Sequence, residues 1–182
     1  MNEISDLAKI TSILGIAATT YLVYENNSIF INEYELFTRK TPNSFRGFKI
    51  LHLNNLYGKT FGSENYRLIE KINSLKPDII VTTGNMLTSY LDKDFVFLEL
   101  CKNLRSFYPI YYSIEGCKNL SGKKYGKYRD YLKGLVDIGV ILLNNSKVSL
   151  IKKEDKLNIY GIYIEDEIKS FSQKKRRKRY FQ

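Results

Sequence analysis

Tryptophan is absent from this chain of 182 residues, histidine occurs once and cysteine twice. Each scarcity excludes something. Cys101 and Cys117 form no CxxC pair, and two thiols alone cannot hold a metal ion. With His52 as the lone imidazole, no site assembled from several histidines can exist. There is no GxGxxG, no Walker-type phosphate loop and no GxSxG elbow. Dinucleotide binding, P-loop hydrolysis and the hydrolase nucleophile therefore lack their motifs. No internal repeat is found. The longest uncharged stretch, Ile10 to Tyr24, falls short of the roughly 20 apolar residues of a spanning helix. Thr11, Ser12, Thr19 and Thr20 dilute it further, and its flank carries Glu3 and Asp6, unlike the basic start of a signal peptide. A weak membrane anchor and an amphipathic packing helix both fit this stretch.

What is present points to a folded domain. Hydrophobic residues make up 43% and aromatics 14%, enough for a sizeable core. The formal charge is +10, but Lys174, Lys175, Arg176, Arg177, Lys178 and Arg179 supply six of it, which leaves +4 elsewhere. The strong positive field belongs to a tail, suited to the phosphates of nucleic acid or to anionic lipid, or simply solvated.

Hydrophobic periodicity lays out the elements. Asn27 to Phe37 alternates as a strand, with a slip near Asn32 and Glu33. Phe48 to Leu53 reads as a buried strand. Ser63 is suited to cap a helix running from Glu64 to Leu75, and Pro77 ends it before the buried strand Asp78 to Thr82. A helix is expected over Asp92 to Phe107, a strand over Pro109 to Ser113, and a helix over Tyr128 to Ile138 stopped by Gly139. Val140 to Leu143, Lys147 to Ile151 and Leu157 to Ile164 complete the strands. Strand alternating with helix is an α/β pattern, in which chemistry sits on loops at the carboxyl ends of the strands.

Three loops meet that description: Asn54 to Gly58, Thr83 to Met86, and Ile114 to Lys118. Together the segments FRGFKILHLNNLYGKTFG, LKPDIIVTTGNM, YPIYYSIEGCKN, GVILLNNSKV and LNIYGI resemble the calcineurin-like metallophosphoesterase family, in its bacterial branch with a short N-terminal membrane segment. The resemblance runs from about Ile29 to Ile164. It implies part of a four-layer α/β/β/α sandwich, two divalent metal ions and phosphoester hydrolysis. It also implies three divisions: residues 1–26 as a candidate membrane anchor, 27–168 as the domain, and 169–182 as a basic tail.

The family's ligands, however, are substituted here. Its first-loop Asp and His fall on Asn55 and Tyr57, its bridging Asp on Asn85, and its third-loop His on Cys117, with Gly116 at the Asn position. A one-residue shift places Cys117 and Lys118 on the Asn and His instead, and neither register restores the motif. Glu115 is the only acid near these loops. Two cations a few ångströms apart need carboxylates to offset their charge, and amides bring none. An un-ionised tyrosine is a poor ligand. Hence no cofactor is expected, and the reading is a degenerate metallophosphoesterase-like protein without phosphoesterase activity. Asn for Asp and Tyr for His are single-transition codon changes, as expected of a site lost by relaxed selection.

Two other readings remain open: an active phosphoesterase with atypical ligands, and a basic module that holds nucleic acid or anionic lipid through Lys174 to Arg179. The resemblance further implies a sandwich that stops before its second sheet is complete, whose bare face calls for a membrane surface or a protein partner. Nucleic acid is expected only at the tail. The location is either membrane-associated or cytoplasmic. His52 reads as a strand residue. Tyr111, Tyr112, Tyr160 and Tyr163 read as packing, and Lys118, Lys123, Lys124, Lys127 and Arg129 as a solvated basic loop.

Overall fold

Four short strands joined by three helices in the middle of the chain determine the architecture, which we describe from a computed structural model covering residues 2–87, 95–114 and 123–162. The chain divides after Phe37 into two compact units. The first contains helix α1 (Asn2–Asn27), longer than the apolar stretch that seeds it. Every described side chain of α1 from Ala8 to Asn27 is exposed. The strand expected over Asn27 to Phe37 is not formed: residues 28–38 are irregular, and Phe30, Tyr34, Leu36 and Phe37 are all exposed. Alternation alone does not make a strand. It needs a ladder partner, and the slip at Asn32–Glu33 denies this segment a single apolar face.

The second unit is built on a four-stranded parallel sheet: β1 (Ile50–Asn54), β2 (Ile79–Thr83), β3 (Ile110–Ser113) and β4 (Ile141–Leu143), in that order across the sheet. Register pairs Ile50 with Ile79, Ile80 with Ile110, and Tyr111 with Ile141. Parallel strands require crossovers, and these are helices α2 (Tyr66–Leu75), α3 (Phe95–Arg105) and α4 (Lys123–Ile138). Their inward residues Leu68, Ile72, Phe97, Leu100, Leu104, Tyr131 and Leu135 are buried. Phe97 and Tyr131 both pack on Tyr112, with ring centroids 5.9 and 6.3 Å away. That contact marks the sheet face of Ile80, Thr82, Ile110 and Tyr112 as the helical one.

The opposite face carries Ile79, Tyr111 and Leu143. A hairpin of β5 (Ser146–Lys152) and β6 (Asp155–Gly161) lays Val148, Leu150 and Ile159 against them. The fold is thus a mixed α/β domain with a parallel sheet flanked by helices.

Several boundaries move for physical reasons. Ser63 does not cap α2. Gly62 takes a left-handed φ of 82°, a 3₁₀ turn covers Ser63–Asn65, and Asn65 becomes the N-cap. The buried Asn65 accepts the Phe61 N–H through Oδ1 at 2.8 Å. The expected buried strand Phe48 to Leu53 is instead the edge strand β1, with Ile50, His52 and Asn54 exposed and Leu51 and Leu53 half-buried. It has a neighbour on one side only, and the hairpin packs over the other strands. Gly139 ends α4 as expected, with φ 94° and its carbonyl accepting from Arg105 Nε at 2.6 Å. Tyr112 is fully buried as packing, whereas Tyr160 is exposed; Tyr163 and the tail lie outside the described residues.

Candidate functional site

At the carboxyl edge of the sheet, the loops after β1 and β2 run side by side. The N–H groups of Asn55, Tyr57 and Gly58 donate to the carbonyls of Gly84, Asn85 and Met86 at 3.2, 2.9 and 2.9 Å. Asn55, Tyr57, Gly58, Gly84 and Asn85 all have left-handed backbone, with φ between 51° and 61°. Asn and Gly enter that region easily, which is why these types suit the loops. Tyr57 does not share that freedom, so its φ of 51° is sustained by the paired backbone around it. Met86, fully buried, and Gly58, also buried, fasten the far end of the pair.

Three of the four positions singled out from the sequence therefore meet in space. The side chains of Asn55 and Asn85 bond directly, Asn85 Nδ2 donating to Asn55 Oδ1 at 2.9 Å. Tyr57 stands on the same loop as Asn55 and is 47% exposed. Cys117, Glu115, Gly116 and Lys118 lie outside the described residues.

Among the described residues, the side chains at this edge, two amides and a phenol, bring no formal charge to offset a pair of divalent ions. Two carboxylates at positions 55 and 85 would face each other without a proton between them, and a cation would hold them together. The two amides are uncharged and are joined by a hydrogen bond with no cation between them. Among the described residues no cluster of three His, Cys, Asp or Glu side chains lies close enough to hold a metal ion.

One neighbour of the site was read from the sequence only as a strand residue. His52, exposed on β1, shares a hydrogen bond with Thr83 Oγ1 through Nε2 at 2.6 Å, just below the loops. Its identity within an apolar run carried no sign of this partner. Only the register of β1 on β2 brings them together, Thr83 lying two residues beyond the Val81 that His52 faces.

The groups with shifted titration lie elsewhere. Burial pushes the Cys101 thiol up, which makes it an inert core residue of α3. Burial likewise raises the Tyr111 phenol, opposed by the Arg105 charge. Asp155 is held below the ordinary carboxylate value by the Ser44 N–H, which donates to its Oδ2 at 3.0 Å. None of the three touches the paired loops.

No family model matches this chain, and no curated protein shows significant sequence similarity to it.

Proposed function

We propose that this protein is a metallophosphoesterase-like α/β domain, part of a four-layer α/β/β/α sandwich, that works without metal and without phosphoester hydrolysis. The observation that carries this reading is the Asn55–Asn85 amide bond of 2.9 Å, which closes the loop pair where the resembled enzymes would place carboxylates. The neutral pair leaves no charge to hold a cation. The remaining role is binding.

Metal analysis for manganese, iron and zinc, with a bis(p-nitrophenyl) phosphate assay on the same preparation, tests it. The expected result is metal far below one ion per chain and hydrolysis at the buffer rate. Near-stoichiometric metal with turnover would favour the active enzyme with atypical ligands.

A second reading, association with a membrane surface, is favoured by α1. Ile13, Leu14, Leu22 and Val23 are each more than half exposed. The hydroxyls of Thr11 and Ser12 donate back to the Ala8 carbonyl, Thr19 to Gly15 and Thr20 to Ile16, at 2.7–3.0 Å. A helix whose polar side chains bond to its own backbone suits an apolar medium. Among the described residues no helix is long and apolar enough to cross a membrane, so the association is with the surface. Flotation of the full chain with vesicles tests it, and the L14D/L22D double variant should stay at the bottom of the gradient. Equal flotation of the variant would reject it.

A further inference from the structure

The β5–β6 hairpin has two unlike faces. Alternation and register place Val148, Leu150, Leu157 and Ile159 inward. They turn Lys147, Ser149, Ile151, Lys156, Asn158 and Tyr160 outward. No acid stands among these six. The acid of the strands, Asp155, points inward to the Ser44 N–H. Tyr160 is 61% exposed, and Lys147, its partner across the ladder, holds Nζ 6.0 Å from the ring centroid. Ser149 Oγ donates to Asn158 Oδ1 at 2.8 Å, which leaves the Asn158 amide N–H groups to meet an acceptor. Lys147 and Lys156 stand four ladder steps apart, about 13 Å, on opposite strands.

We propose that this outward face binds single-stranded nucleic acid, with Tyr160 stacking on a base and Lys147 and Lys156 contacting phosphates. An exposed ring on a two-stranded face, flanked by cations and with no carboxylate among its six outward residues, is the chemistry that takes unpaired bases on a polyanionic backbone. A duplex hides its base faces from such a ring. An anionic membrane would use the two lysines but would gain nothing from base stacking. The site is independent of the paired loops at Asn55 and Asn85.

The test is fluorescence anisotropy of the full chain with labelled 15-nucleotide oligo(dT) and oligo(U), a duplex of equal length, and phosphatidylserine vesicles as competitor, at several salt concentrations. Both single strands are expected to bind. Y160A should weaken binding about tenfold, and Y160F should restore it. K147E/K156E should weaken it at least as much and lower the salt slope by about 1.4, two contacts at roughly 0.7 each. K147R/K156R should bind like the native chain, which separates lost charge from lost fold. The proposal is overturned if the glutamate variant keeps the native affinity and slope, since the tail would then carry the charge. It is equally overturned if the duplex binds as tightly as the single strands with Y160A neutral, or if only the vesicles bind.

Discussion

The two faces of the central sheet are packed to different depths. On the helical face Ile80, Leu100, Tyr112 and Leu135 have no exposure at all. On the hairpin face Ile79, Tyr111 and Leu143 are buried, but the partners laid on them, Val148, Leu150 and Ile159, are only half-buried. Helices present a broad apolar stripe, whereas a two-stranded ribbon presents one apolar row per strand and little area between them. The helical face therefore supplies most of the burial that holds the domain. The hairpin is an attached layer with a polar outer surface. The paired loops sit at the rim where the faces meet solvent, held by backbone bonds more than by burial.

The largest effect that tests this contrast is a cavity on the helical face. L100A should cost about 2–5 kcal/mol in urea unfolding, while V148A on the hairpin should cost about 1 kcal/mol. Equal losses would erase the distinction. Next comes the seam between hairpin and sheet. An added Cβ at Gly161 would run into the Leu143 side chain and backbone. G161A should lower stability by about 1–3 kcal/mol and speed hydrogen exchange in 146–161 ahead of the helices. Exchange rising uniformly would show that the hairpin opens only with the whole domain.

At the rim, N85D removes the donor of the 2.9 Å amide bond and should cost about 1 kcal/mol. N55D/N85D should cost more than the two single changes together at neutral pH, and manganese should recover part of the loss in a thermal melt. Additive losses with no response to manganese would show that the side chains at 55 and 85 do not face each other. The smallest effect belongs to Asp155. Its carboxyl titrates below the ordinary 3.8 because the Ser44 N–H stabilises the charged form. The contribution is therefore present above the unfolded-state value and is lost as pH falls through the lower folded value. D155N should flatten that acid limb of the stability curve and leave neutral pH nearly unchanged.

Much of the domain was legible from pattern. The runs ending at Leu53, Thr82, Ser113 and Leu143 became β1 to β4, and the 3.6-residue spacing of Leu68, Ile72 and Leu75 became α2. The α/β rule also foresaw that Asn55, Tyr57 and Asn85 would share one edge. Residues 28–38 defeated the same logic, because alternation reports a local repeat and says nothing of whether a partner strand exists. Tyr160 defeated it too, since its neighbours Ile159 and Gly161 alternate inward and leave it outside.

Residue type and local spacing were enough to establish that positions 55, 57 and 85 carry two amides and a phenol, that one imidazole exists, and that strands and helices alternate. These follow from chemistry that each residue brings with it and from periods of two and 3.6. Which faces are covered, that β1 lies at an edge, that His52 meets Thr83, and that Asn85 donates to Asn55 came only from the folded arrangement. Those pairs lie about 30 residues apart, and parallel register on a twisted sheet, which no local pattern encodes, decides which side chains come within bonding distance.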